Sequence, residues 1–361
     1  MVEKKGERVM RRKIIRSAEW AIFFLLVLFF GLGTISLLQL KSPREFQKGI
    51  SFTGYTKNAY STWAAQESLA RLKQTNARWI SLLVTAYQDN INSTVIDYSG
   101  FNTPADDSLV GIIDYAHQLG LKVMLKPHVD LLNDPNHWRG QIGANFSQAD
   151  WQMWFSSYRQ FILHYAQLAR QYQVEQFCVG CELDGTVRRL SEWRAIIQEI
   201  RQVYNGRLVY ADDQLESNPE AVQFWDELDY IGLDLYPTLT TSLSPSVSEL
   251  CQGWEKLLLK IKLLSARWGK KVIITEIGYR SVRGAAQNPW DWQKSGPVDL
   301  VVQRKCYEAA LRMVAGRSYL AGMFWWQWFP DLSIGGPGDT SYTPYGKPAE
   351  KVLTLRFLLP M

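Results

Sequence analysis

Eight short β-rich runs, separated by longer stretches of which several are helix-patterned, constrain this chain more than any other feature. They are Gly49–Tyr55, Arg78–Thr85, Lys122–Pro127, Gln176–Glu182, Arg207–Ala211, Tyr230–Leu235, Lys271–Glu276 and Gly322–Trp326. Between them, Leu109, Ile112, Ile113 and Ala116 recur at helical spacing, with Thr103-Pro104 as expected cap and first turn and Gly120 as stop. Trp254, Leu257, Leu258 and Ile261 repeat the pattern. Eight such alternations predict an α/β fold, a (β/α)8 barrel. An open doubly wound sheet is the alternative, but no G-x-G-x-x-G follows the first run.

The segment before the first run has a different character. Ala21 to Leu38 is uncharged and mostly large and apolar, close to the length needed to cross a bilayer core of about 30 Å. Lys4, Lys5, Arg8, Arg11, Arg12, Lys13 and Arg16 precede it, so the positive-inside rule predicts a cytoplasmic N-terminus. The expected organisation is a basic cytoplasmic segment (1–20), a transmembrane signal anchor (21–40), a linker (41–48) and an extracytoplasmic catalytic domain (49–361). A cleaved signal peptide is the competing reading; the run is longer than an ordinary h-region and no A-x-A-like pair follows. Those seven basic residues account for most of the charge surplus, leaving a nearly neutral body and arguing against nucleic-acid binding.

Four cysteines are too few for a disulfide framework. Cys178 and Cys181 have C-x-x-C spacing but sit within a strand, where residues three apart face opposite ways, so neither a disulfide nor a shared metal is expected. His117 and His164 fall in helical patterns. No H-E-x-x-H, G-x-S-x-G or Walker motif occurs, and no metal or cofactor is implied. Gly335-Gly336-Pro337-Gly338-Asp339 reads as a loop, since no helix pattern follows it immediately.

A barrel carries its chemistry at the C-terminal strand ends. There the sequence offers Gln88 and Asn90 after run two, Lys126 and His128 on run three, and Cys181-Glu182 on run four. Asp234 and Tyr236 follow on run six, Glu276 and Tyr279 on run seven, and Trp325-Trp326 on run eight. Glu182 and Glu276 each end an uncharged run, which is costly for a carboxylate unless water, a partner or catalysis explains it. Paired carboxylates flanking a glycosidic bond are the machinery of glycoside hydrolysis.

The runs Lys126-Pro127-His128-Val129-Asp130, Trp138-Arg139-Gly140, Gly180-Cys181-Glu182-Leu183 and Thr275-Glu276-Ile277-Gly278-Tyr279 resemble glycoside hydrolase family 113, within the clan of retaining (β/α)8 glycosidases. The resemblance implies Glu182 as general acid/base, Glu276 as nucleophile and β-1,4-mannan as substrate, cleaved by double displacement. It departs from the wider clan at Cys181, where most members carry Asn against the sugar 2-hydroxyl. Lys126, His128, Trp138, Arg139, Asp234 and Tyr236 are candidates for holding sugar or carboxylate. Of Trp325 and Trp326 only one should line the pocket, Trp326 being favoured, and Trp290 and Trp292 are candidates for outer subsites. Another β-glycan specificity, or a tethered carbohydrate-binding protein without turnover, are the rival readings.

Overall fold

A computed structural model describes residues 45–361. The N-terminal segment and the proposed anchor at 21–40 lie outside the described residues; among those described, no helix is long and apolar enough to cross a membrane.

Eight parallel strands close into a barrel in sequence order, β1 pairing with both β2 and β8. The strands are β1 (Gln47–Phe52), β2 (Trp79–Gln88), β3 (Lys122–Leu131), β4 (Gln176–Cys181), β5 (Arg207–Asp212), β6 (Tyr230–Leu235), β7 (Val272–Ile277) and β8 (Leu320–Trp328). The helices are α1 (Trp63–Lys73), α2 (Asp106–Gln118), α3 (Gln148–Gln171), α4 (Leu190–Val203), α5 (Val247–Trp268), α6 (Leu300–Val314) and α7 (Pro348–Leu358). The β5–β6 crossover has only a 3-10 turn, Trp225–Glu227, in place of a helix. Gln47 and Lys48, assigned to the linker from sequence, open β1: both are buried, and Lys48 donates to the carbonyls of Phe357 and Leu359. Helix α2 starts at Asp106, after the expected Thr103-Pro104 cap, because the Thr103 hydroxyl donates to the Thr85 carbonyl instead.

Alternation along each strand divides the apolar residues into two layers. Ile80, Leu82, Val84, Val123, Leu125, Phe177 and Val179 join the layer shared with the helices, where Trp154, Trp193 and Trp254 are fully buried. Trp79, Met124, Cys178, Val209, Tyr230, Ile273 and Phe324 form a separate cluster. Here β4 departs from expectation. Its register against β5 shifts between Cys178 and Cys181, and both cysteines fall in this second cluster, as free thiols. A bulge breaks the strict alternation on which the opposite-facing expectation rested.

Two further irregularities prepare the functional end. The β6–β7 register slips after Leu233 so that Asp234 lies opposite Glu276. Beneath them Gly232 lets β5 and β6 approach: a Cβ there would lie 2.3 Å from the Tyr210 carbonyl oxygen and 2.6 Å from Val209 Cγ2. A backbone oxygen in a barrel cannot move aside, so Gly232→Ala is expected to cost about 1–3 kcal/mol of overpacking. Thermal denaturation should register a fall in Tm of several degrees.

Candidate active site

The polar residues at the C-terminal strand ends converge on one cation. Lys126, fully buried on β3, donates to Asp234 Oδ2 at 2.9 Å, Asp234 Oδ1 at 3.1 Å and Glu276 Oε1 at 2.5 Å. An ammonium has three hydrogens, and these contacts use them. Burial alone would drive the Lys126 pKa down, but the charge of Asp234 foremost, with Cys181 and Glu276, holds it well above its usual value. Lys126 is therefore a fixed buried charge, and of the two partners the sequence left open, sugar or carboxylate, the structure shows the carboxylates. Asp234 is likewise enclosed, accepting also from the Thr275 hydroxyl at 2.6 Å and the Cys181 thiol at 3.3 Å. Both Asp234 and Cys181 are engaged in this network, where Asp234 orients its neighbours.

Glu276 is held from two sides. Its Oε1 takes Lys126, and its Oε2 accepts from the Tyr236 hydroxyl at 2.8 Å. Burial and the charge of Asp234 raise its pKa, while Lys126 and Tyr236 pull it back. The ammonium thus stabilises the ionised form of a carboxylate whose orientation is set by two donors.

Glu182 sits differently. It follows the β4 bulge with φ at +52°, a left-handed conformation that a side chain with Cβ adopts at a cost of about 1–2 kcal/mol. Its amide donates to the Ala211 carbonyl at 2.9 Å, and the Tyr210 hydroxyl anchors the next amide, that of Leu183, at 3.0 Å. Its charged neighbour is Arg139, 3.4 Å from Oε2. Burial pushes Glu182 well above the usual carboxylate range; Arg139 opposes this, and the charges of Asp213, Asp234 and Glu276 add to it. Glu182 and Glu276 each have an oxygen within 4.8 Å of the Cys181 sulfur, so the two carboxylates share this thiol as a neighbour.

Arg139 ties the surroundings of Glu182 together. Its guanidinium also reaches Asp130 Oδ2 at 3.1 Å and donates to His128 Nδ1 at 3.1 Å. Because Arg can only donate, Nδ1 accepts and the neutral imidazole carries its proton on Nε2. Burial, then Lys126 and Arg139, push the His128 pKa well below its usual value, which keeps the ring neutral. The Nε2 atom is buried without a hydrogen-bond partner, 3.8 Å from Glu276 Oε1, so a donor stands ready beside the carboxylate. The Arg139 loop is docked by close backbone approach: Gly185 N donates to Gly140 O, and a Cβ on Gly185 would lie 2.2 Å from the Ile142 oxygen.

Other expected residues are elsewhere. Gln88 is buried beneath the loop, bonding the Asn90 and Ser93 carbonyls and accepting from Trp154, and Asn90 caps the turn 90–93. Tyr279 is buried against Trp254, Cys306 and Tyr307. Trp325 is fully buried, stacked on Tyr307 with ring centroids 3.7 Å apart, because strand alternation sends it toward α6. Trp326, its neighbour, is half-buried and follows the alternation that favoured it. Trp138 is 43% exposed on the β3–α3 loop, and Trp290 and Trp292 are 61% and 69% exposed between β7 and α6.

Sequence reading missed Thr275 and the carboxylates Asp184, Asp212 and Asp213. These three lie within 4.8 Å of one another, and each has a buried oxygen without a partner. Burial raises Asp184 to about 7 and Asp213 to about 8, and lifts Asp212 well above its usual range. The doublet Asp212-Asp213 ending β5 was the available signal. Oxygen donors of this kind suit either shared protons or a hard cation.

Removing the central cation leaves two buried carboxylates uncompensated. Lys126→Met is expected to destabilise the fold by about 3–5 kcal/mol. Urea unfolding measures it, and a loss below about 1 kcal/mol would contradict the pairing described.

The sequence matches the family model of glycoside hydrolase family 113 over residues 50–347. A solved family 113 β-1,4-mannanase is 32% identical and superposes with a TM-score of 0.77, covering 87% of this chain and 99% of its own. The family 113 β-mannanase of Alicyclobacillus acidocaldarius is 28% identical, with a TM-score of 0.76 and coverage of 87% and 97%. A family 5 mannosidase from Rhizomucor miehei, 9% identical, shares the fold with a TM-score of 0.56, covering 87% of this chain and 93% of its own. No curated protein matches the sequence. The chain belongs to glycoside hydrolase family 113 and is a glycoside hydrolase.

Proposed function

We propose that this enzyme cleaves β-1,4-linked mannan or manno-oligosaccharides with retention, Glu276 acting as nucleophile and Glu182 as general acid/base. The observation that carries the assignment is the contrast between the two carboxylates. Glu276 receives Lys126 and Tyr236, donors that favour an ionised, oriented nucleophile. Glu182 has one guanidinium at 3.4 Å against burial and three neighbouring carboxylates, which favours its protonated form. Two carboxyls whose environments push them apart in this way divide into ionised nucleophile and protonated acid.

In the first step Glu276 attacks the anomeric carbon while Glu182 protonates the departing oxygen. In the second Glu182, now ionised, takes a proton from water that displaces Glu276. The raised affinity of Glu182 for its proton depends partly on the charge of Glu276, which glycosylation removes; its pKa then falls, as a base at that stage requires. His128 Nε2–H, facing Glu276, is placed to donate to a sugar hydroxyl at the same subsite. The manno preference is supported by the two family 113 mannanases described above. The basic flank and apolar run at 21–40 support a membrane tether with the barrel on the extracytoplasmic side.

Purified enzyme incubated in parallel with β-1,4-manno- and cello-oligosaccharides should cleave the manno series, and Glu276→Gln should lower kcat by at least about 10³-fold. Preferential cleavage of the cello series would overturn the substrate reading. The basic limb of kcat/KM should lie above the ordinary carboxylate range, since loss of the Glu182 proton abolishes acid catalysis. In Glu182→Gln that limb should vanish; a limb that persists unchanged would assign the acid elsewhere.

A further inference from the structure

A cavity that the catalytic residues do not line lies at the C-terminal end of β2. It lies where β2 and β3 run into the loop 89–103, and its volume is about 470 Å3, within the range of small-ligand sites of about 300–1,000 Å3. Tyr87, Asp89, Asp97, Phe101, Asn102 and Leu132 contribute to its walls. It adjoins the acid side of the catalytic centre. Tyr87 is in register with Asp130, whose carboxylate takes one nitrogen of Arg139, and the other reaches Glu182.

The walls are fixed in advance. Tyr87 and Asp97 exchange both backbone hydrogen bonds at 2.8 Å, folding the loop back on β2. Gln88 holds the carbonyls of Asn90 and Ser93 from below and is itself held by the Trp154 indole. The Phe101 carbonyl accepts from Lys57 N at 2.9 Å, and the Lys57 carbonyl accepts from Ala105 N at 2.9 Å. Phe101 therefore presents a ring that is 76% exposed from a backbone tied on both sides, and Leu132, 51% exposed, flanks the same cavity.

Single exposed apolar side chains need no explanation, but these converge on one concavity together with two carboxylates and an amide. That combination calls for a ligand with a CH-rich face and a dense set of hydroxyls on its edge. A pyranose has both, and a rigid aromatic loses little entropy on meeting it. We propose that this cavity is an outer subsite for a further pyranose of the β-glycan chain whose scissile bond lies between Glu182 and Glu276, with Phe101 as its stacking platform and, as hydroxyl partners, Asn102 and the lone pairs of Asp89 and Asp97 not taken by Asn90, Asn133 and Ser99. The inference rests on the proposed glycan hydrolysis and adds which part of the rim grips the extended chain.

The test compares chain lengths. Phe101→Ala should lower kcat/KM on mannohexaose about five- to tenfold more than on mannotriose, the loss falling on KM, while Phe101→Tyr, which keeps a flat ring, should restore it. Equal kcat/KM ratios for the two substrates in parent and Phe101→Ala would overturn the subsite while leaving the hydrolase reading intact. A parent enzyme that cleaves no manno-oligosaccharide would overturn that reading first. Calorimetry of Glu276→Gln with mannohexaose then decides the cavity: weaker binding when Phe101→Ala is added supports the subsite, and unchanged or undetectable binding overturns it.

Discussion

Everything at the functional end of this barrel is arranged around the ammonium of Lys126. A fully buried cation is tolerable only among compensating charges, and Asp234 and Glu276 supply them at 2.5–3.1 Å. The arrangement serves chemistry because only one of the two carboxylates is spare. Asp234 is closed in by Lys126, Thr275 and Cys181 with its side chain fully buried, whereas the Glu276 side chain keeps 5% exposure and is steadied by Tyr236. Replacing such a network by apolar residues could stabilise the protein, so its persistence is better explained by the oriented carboxylate it delivers than by stability.

The acid side follows a different physical rule. Glu182 sits at the break in β4, on a backbone held left-handed, with one cation nearby and several anions around it. Strain of this kind survives only where the surroundings over-determine it, and here the Ala211 carbonyl, the Tyr210 hydroxyl and the Gly185 to Gly140 contact do so. Arg139 links this carboxyl to His128 and Asp130, so one guanidinium moderates the Glu182 pKa and fixes the tautomer of the neighbouring imidazole.

The barrel was legible in the sequence because eight β-rich runs recur in order, and the two glutamates were legible because each ends an uncharged strand. What sequence could not supply was which side of the strand end a residue faces once a bulge intervenes. Cys178 and Cys181 share a cluster that regular alternation denies them, and Asp234 and Glu276 meet only because the β6–β7 register slips. Trp325 and Trp326 obeyed the alternation, one buried in the core and the other half-buried, whereas Tyr279, three residues beyond Glu276, is buried in the core. For Lys126 the sequence left sugar and carboxylate both open as partners, because spacing says nothing about how many carboxylates a buried ammonium will meet. The Asp184, Asp212 and Asp213 cluster joins two loops distant in sequence, and its one local sign, a doublet of aspartates, is indistinguishable from an ordinary solvated turn.

The central claim is that Glu276, oriented by Lys126 and Tyr236, forms the covalent bond to sugar. Incubating the enzyme with a 2-deoxy-2-fluoro-mannosyl fluoride, followed by peptide mass mapping, tests this most directly. The account predicts time-dependent inactivation with one fluoromannosyl group on the peptide bearing Glu276. Labelling at another residue, or hydrolysis of substrate to the inverted anomer without any covalent adduct, would contradict it.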